Sequence, residues 1–538
     1  MKVHAAIART LADAGVDTIF GLIGDANMYF VADYIRSHAG RYVGAAMENG
    51  AVSYAHGYAR VSGKVGIATV THGPGAANTI NPVIEAVRSH TPLVLITGDT
   101  PRRRHHPQEV DLRALFSATG ATFHRVLRAE HVVPELSRVL AHAINTRRPI
   151  VLDIPFDLHH EDIDYRPALA PPLSLHAVAP TEDSLDMALG VLVNANRPLI
   201  LAGRGALEAG AREELIELAD LLGAPLATTA AAKDLFHGHP YNLGIMGNNG
   251  LDWAMDVIAK ADCVAAFGAS LGFYTTMDGE LLPERSVIQC DVDPANIGRF
   301  QIPTVAVIGD ARTTAATMMD RLRELGGKQV GFRTSALGQG VLEQRPTDDF
   351  VDHSTDTTLD VRTAMVILDD IFPKDRVLVT DGGRFVAMPW RYVHVEESRN
   401  FVHTFAWGSI GLGMATAVGA AVARPDLPTV CVAGDGGLIM GLIEFSTAVR
   451  ENLPLLVVVL NDGAYGEEYD KFVAHGFAAE NCFNTWPEFA DVATAMGGRG
   501  ATVRTQDQFR RAVAEATAHP GPMLIDVKTD PHRNPKDR

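Results

Sequence analysis

Residues 429–437 read Thr-Val-Cys-Val-Ala-Gly-Asp-Gly-Gly, and residues 455–463 read Leu-Leu-Val-Val-Val-Leu-Asn-Asp-Gly. Each is a short apolar run without alternation, ended by glycine and a carboxylate. A strand covered on both faces has this pattern, because neither face meets water. The glycine turn after the first run opens a helical pattern, so the pair reads as strand, turn, helix, strand. That arrangement predicts a parallel α/β sheet whose ligands sit beyond the carboxyl ends of its strands.

The same runs recur in three groups along the chain. The first holds 65–70, 92–98 and 149–155; the second holds 198–203, 263–268 and 286–292; the third holds 376–381, 429–435, 455–461 and 523–527. The expected fold class is α/β, with three doubly wound parallel-sheet domains. Polar stretches at about 161–180, containing Pro167, Pro171 and Pro172, and at about 334–358 read as linkers. The expected domains are therefore 1–165, 180–333 and 359–530, and the polar last ten residues are expected to fray.

Length agrees: 538 residues at ~150 per domain suggest three or four domains. The 47 Lys and Arg against 64 Asp and Glu leave a charge of −17, which argues against a nucleic-acid partner. Cys263, Cys290, Cys431 and Cys482 are far apart and form neither a disulfide framework nor a zinc spacing, so buried thiols are expected. The strongest apolar run, Pro454 to Leu460, is far shorter than the ~20 residues of a membrane span. Arg9 and Asp13 interrupt the place of a secretion signal's apolar core, so a cytoplasmic location is expected, with no membrane partner.

The glycine turn carries the first chemical signal. Gly434, Gly436 and Gly437 leave backbone N–H groups exposed at a helix start, which suits a phosphate. Asp435 stands in the same turn, and Asp462 ends the next apolar run. Two carboxylates beside an anion need a cation, and oxygen ligands next to a polyphosphate suit Mg²⁺. Two helix N-caps are the competing reading. A third strand-tip turn follows Val70, Thr71-His72-Gly73-Pro74-Gly75.

These motifs resemble a known family. Gly434-Asp-Gly-Gly437 followed by Asn461-Asp462 resembles the thiamine diphosphate (ThDP) binding signature. Ala46 to Lys64 resembles that superfamily's glutamate helix, the Thr71 turn and 92–101 resemble segments of acetolactate synthases, and Trp407 to Ala421 resembles the loop and helix that seat the aminopyrimidine. The chain thus resembles the ThDP-dependent enzymes of the acetolactate synthase-like and 2-oxo acid decarboxylase branch. The three domains would then be a pyrimidine-binding, a central and a diphosphate-binding domain. The resemblance implies that Glu48 bonds a ring nitrogen of the aminopyrimidine, that the Gly408 carbonyl accepts from its amino group, and that Ile410 props the cofactor into its bent shape. An ordinary helix glutamate and a core isoleucine are the competing readings of Glu48 and Ile410. Asp435, Asp462 and the Ala464 carbonyl would hold Mg²⁺. Gly383, Arg384 and Phe385 lie where relatives carry a diphosphate-contacting loop; the usual Gln-His pair is absent, and Arg384 is read as a phosphate ligand. Tyr465 and Gly466 complete the expected cofactor contacts. Relatives often carry Asn where Asp462 stands.

The reaction is pulled two ways. Asp25, in 20–30, and Glu468 stand where pyruvate and indolepyruvate decarboxylases carry catalytic acids, although surface or capping carboxylates are the competing reading. The Thr71 turn and Gln108-Glu109 resemble acetolactate synthases. Phe116-Ser117 replaces the decarboxylases' His-His pair, and His105-His106 is not its equivalent. His72 is either a substrate donor or base, or a helix cap. Phe267 to Thr276 lacks the arginine and acidic pair of the synthases' flavin-contacting stretch, so FAD is not expected. Tyr29, Phe30, Tyr465, Tyr469 and Phe472 suggest room for an apolar substrate group. The implied activity is decarboxylation of a small 2-oxo acid, followed by protonation or transfer to a second carbonyl. The alternatives are acetolactate synthase proper and a non-catalytic ThDP binder. The family's sites form between subunits, so a homodimer or homotetramer is expected, with Glu48 and Asp435 meeting across the interface.

Overall fold

The apolar runs form the inner strands of three six-stranded sheets in a computed structural model that describes residues 1–100, 106–168, 178–326 and 332–537. The first sheet contains β1 (Thr18–Gly21), β2 (Arg41–Gly44), β3 (Gly66–Val70), β4 (Leu93–Asp99), β5 (Thr122–Arg125) and β6 (Pro149–Pro155). The central sheet contains β7 (Pro198–Ala202), β8 (Leu226–Thr228), β9 (Asn242–Ile245), β10 (Cys263–Phe267), β11 (Ser286–Asp291) and β12 (Val305–Ile308). The third contains β13 (Val377–Thr380), β14 (Phe401–His403), β15 (Thr429–Gly434), β16 (Leu455–Asn461), β17 (Arg499–Val503) and β18 (Met523–Lys528).

The first and third sheets share one order, β2-β1-β3-β4-β6-β5 and β14-β13-β15-β16-β18-β17, whereas the central sheet runs β12-β11-β10-β7-β8-β9. In each, strand order reverses beside the sheet's first strand, which opens a crevice at the carboxyl ends there. The strands missing from the sequence reading are mostly edges or very short. β12 alternates buried and exposed, and β2 is fully buried only at Val43, so their apolar signal is diluted by water on one face. Among the described residues no helix is long and apolar enough to cross a membrane.

Two expectations need correcting. The 334–358 stretch contains a helix, Ser335–Glu343, whose first turn is capped by the Thr334 hydroxyl accepting from Leu337 N–H. The C-terminal tail does not fray but docks on the third domain. Thr529 N–H donates to Asn461 O at 2.9 Å, and Asn534 Nδ2 to Asp470 Oδ2 at 2.8 Å. Its polar side chains satisfy polar groups below it, which composition alone does not reveal. Of the first linker, residues 169–177 lie outside the described residues, as does His105.

The first and third domains are joined by two buried helices, Glu48–Ser62 and Gly413–Ala423. Gly413–Ala423 carries small or apolar residues all round, as a helix with no wet face must, whereas Glu48–Ser62 also buries His56 and Arg60. Their backbones touch: a Cβ on Gly57 would stand 2.1 Å from Thr416 O, and one on Gly419 1.9 Å from Tyr54 O. Gly57→Ala is expected to destabilise by about 1–3 kcal/mol through overpacking, outweighing the ~0.5–1 kcal/mol that alanine favours a helix. Urea unfolding measures this, and an unchanged or raised midpoint would contradict the close packing.

Candidate active site

The crevice of the third sheet is ringed by three strand-tip carboxylates. Asp381 follows β13, Asp435 follows β15 and Asp462 follows β16. Asp435 is 3% exposed, and its carboxylate accepts from Gly436 N–H at 2.9 Å, Gly463 N–H at 2.8 Å and Trp486 Nε1 at 2.9 Å. Burial, and then the charge of Asp462, push its carboxyl up to about 7. Asp462 is also raised by burial, against the pull of Arg384. Asp381 accepts from Gly382 N–H at 2.8 Å and Gly411 N–H at 2.9 Å, which ties down the loop carrying Gly408 and Ile410. Ile410 packs over Gly382, whose Cβ would stand 3.2 Å from Ile410 Cγ2. Phe385 lies against Gly383 and Gly434, and Tyr465 against Gly436.

Arg384 behaves differently from a free phosphate ligand. It is buried, and its guanidinium donates to Asp462 Oδ2 at 2.6 Å, Asp470 Oδ1 at 3.1 Å and the Pro531 carbonyl at 3.0 Å. Its donors are thus spent on the extra carboxylate, on the helix Gly466–Ala474 and on the docked tail. Glu468 lies on that helix and is exposed.

A second group gathers around the Thr71–Gly75 turn of the first sheet. His72 is buried, and its Nε2 is 2.8 Å from Gln108 Oε1. Gly73 has φ +60°, and a Cβ there would stand 2.5 Å from Gln108 O, so only glycine lets the two segments meet. Glu48 opens its helix beside Gly75 and accepts from Asn78 Nδ2 at 3.0 Å. Asp25 is exposed on a loop that packs on Thr71, where Ala26 N–H donates to the Thr71 hydroxyl at 3.4 Å. The fold therefore brings Glu48, His72, Gln108 and the Asp25 loop to one turn. Of the expected substrate-lining aromatics, Phe30 lies in the first domain's core and Tyr29 meets His160.

Two glutamates that the sequence reading missed connect the groups. Glu444 accepts from Ala46 N–H at 3.1 Å and Met47 N–H at 3.0 Å, immediately before Glu48. Glu85 accepts from Ala406 N–H at 3.1 Å and Trp407 N–H at 2.9 Å, immediately before Gly408. Asp381 and Trp486 were missed as well. The carboxylate ending the 376–381 run gave a signal for Asp381; nothing local marks Trp486.

The N-terminal, central and C-terminal domain descriptions of the thiamine pyrophosphate enzymes match residues 1–115, 185–318 and 381–527. The chain belongs to the thiamine pyrophosphate enzyme family. It is 30% identical to a sulfoacetaldehyde acetyltransferase of Castellaniella defragrans, over 96% of this chain and 90% of that protein. It is 28% identical to a probable acetolactate synthase large subunit of Methanococcus aeolicus, over 98% and 92%. It is also 28% identical to acetolactate synthase 1 of Nicotiana tabacum, over 97% and 80%.

The residues of this ThDP enzyme fit the diphosphate and a divalent ion. Asp435 and Asp462 repel one another in a buried site, and a cation between them removes that cost. Asp381 yields a test that needs no cofactor. Burial raises its carboxyl to about 6 in the folded chain, against about 3.9 when unfolded. The stability it contributes is therefore complete below about pH 4 and lost as pH rises through 6. Wild type should lose up to about 3 kcal/mol relative to Asp381→Asn between pH 4 and 7.5, measured by urea unfolding without metal. Parallel pH curves would contradict this.

Proposed function

We propose that this ThDP enzyme uses Mg²⁺ and acts on small 2-oxo acids, decarboxylating them and passing the resulting acyl-anion equivalent to a proton or to a second carbonyl. The observation that carries the reading is the meeting of Glu48, His72, Gln108 and the Asp25 loop on one turn. When bound, ThDP supplies a nucleophilic carbon and an electron sink for the carbanion left by CO₂. Asp435, Asp462 and the Ala464 carbonyl hold the metal, and the glycine turns at 383 and 434–437 receive the diphosphate. Glu48 holds a proton at the pyrimidine, while the Gly408 carbonyl and Ile410 fix the cofactor's orientation.

His72 and Gln108 act as a unit. With Nε2–H donating to Gln108 Oε1, His72 Nδ1 faces the Thr71 hydroxyl at 3.4 Å and Gln108 keeps its amide N–H groups for a substrate carboxylate or carbonyl. Asp25 and Glu468 are the acids available for protonation. Synthase-type transfer is the second reading; the Gln108 pairing and the names of the relatives favour it.

Within one chain Glu48 and Asp435 belong to separate groups, so a second copy completes each site in this reading. Met47, Trp407, Met440 and Ile443 are 39%, 44%, 49% and 46% exposed and flank Glu48, the Gly408 loop and the Asp435 helix. Such apolar exposure suits a subunit interface. The cytoplasm is the compartment that agrees with four free, buried cysteines.

Product analysis tests the proposal. Pyruvate, phenylpyruvate, benzoylformate and a branched 2-oxo acid are supplied with ThDP and Mg²⁺, with and without an acceptor aldehyde. CO₂ release that depends on ThDP is expected, and Glu48→Gln should lower it by about 10²-fold or more while ThDP still binds. Free aldehyde as product supports protonation; an acyloin or acetolactate supports transfer. Full turnover by Glu48→Gln would contradict the mechanism, and ThDP binding without turnover on any substrate would favour a non-catalytic binder.

A further inference from the structure

The seam between the central and third domains carries a histidine–carboxylate cluster built from none of the residues described above. Asp234 and His237 follow β8, and His394 follows the helix Ala387–Tyr392. One ligating atom from each lies within 4.8 Å of the others. Asp234 Oδ1 is 3.1 Å from His394 Nδ1, and the rings of His237 and His394 stack with centroids 4.7 Å apart.

Two of the three groups are already fixed. Asp234 has φ +63°, and its Oδ2 accepts from Val395 N–H at 3.0 Å and pairs with buried Lys233. Oδ1 is left facing His394. The His394 backbone is held on both sides: its N–H donates to Asp369 Oδ1 at 2.9 Å, and its carbonyl accepts from Arg376 Nε at 2.8 Å. His237 is exposed, beside Gly238, and its N–H donates to Asp234 O at 3.0 Å.

Two imidazoles and a carboxylate are donors that first-row divalent ions favour. A tetrahedral ion with bonds of about 2.0–2.1 Å has ligand–ligand edges of about 3.3 Å. The Asp234–His394 separation is close to one such edge, and the His237 ring needs only to move inward. Its exposure leaves the fourth position to water. Lys233, Lys374 and Arg376 are balanced locally by Asp234, Asp369 and Glu396, so the surroundings of the cluster are neutral.

We propose that Asp234, His237 and His394 form a binding site for a transition-metal dication of the Zn²⁺ class, which staples the central domain to the third. The site is separate from the carboxylate turn assigned to Mg²⁺, and its donor set is different.

The test uses tag-free, full-length protein with ThDP and Mg²⁺ in excess, so that the oxygen site is filled. Co²⁺ alone is titrated and followed by its visible absorption, which is intense for tetrahedral nitrogen-containing sites and weak for octahedral oxygen sites. One equivalent with the intense band is expected, displaced by Zn²⁺. His237→Ala and His394→Ala should each weaken binding at least ~tenfold. Zn²⁺ should raise the thermal midpoint of wild type but not of His237→Ala. His237 is exposed, so its loss leaves the core intact and the result reports on the site. Absence of the band, a band that survives both histidine replacements, or one lost in Asp435→Asn would overturn the proposal.

Discussion

Two buried glutamates set the register between the halves of the molecule. Glu85 and Glu444 are 1% and 2% exposed, and each carboxylate accepts two successive backbone N–H groups from the opposite domain. Burying a carboxylate is costly, and charge-assisted hydrogen bonds of this kind offset the cost only when the geometry is kept. Burial raises the Glu85 carboxyl, and the Ala406 and Trp407 N–H groups draw it back. The Tyr54 hydroxyl adds a third donor to Glu444. The glutamates occupy corresponding places in two sheets of the same strand order, so the arrangement is reciprocal. One fixes the backbone before Glu48 and the other fixes the backbone before Gly408. These four hydrogen bonds, with those of Asp381 to Gly382 and Gly411, hold the backbone around the residues assigned to the pyrimidine half of the cofactor.

The Asp435 turn shows how two neighbouring buried carboxylates are accommodated. Asp462 places a second buried negative charge beside Asp435, and that charge must be answered. Arg384 answers it, and in the same contacts holds Asp470 and the tail carbonyl of Pro531. Both residues are visible in the sequence as separate oddities. Their pairing is not, because 78 positions separate them and no local pattern links them.

Much of the fold is legible from buried strands. A strand such as β16, buried throughout, is apolar at six consecutive positions, Leu455 to Leu460, and its last residue, Asn461, is buried only with its amide bonded to Asp526. β2, β12 and β17 are wet on at least one face and leave no such trace. The strand tips are legible for the same reason, since Asp435, Asp462 and His72 follow the buried runs directly. What could not be read is tertiary: Glu85 and Glu444 are ordinary helical glutamates until the opposite domain supplies their donors. The tail is similar, a polar segment held by Asn461, Asp470, Arg384, Arg362 and Tyr469 beneath it.

The most direct measurement is ThDP affinity and ThDP-dependent CO₂ release in Glu85→Gln, Glu444→Gln and the double variant, with circular dichroism as the control for folding. Each amide keeps the side chain's shape but turns an NH₂ toward a backbone N–H that needs an acceptor. The account predicts a loss of about tenfold or more in ThDP affinity for each single variant, since each unmet buried donor costs about 1–3 kcal/mol. It also predicts a double variant that departs from additivity, because both pairs hold the same interface. Native affinity and turnover in folded single variants would contradict the claim that these two carboxylates position the site.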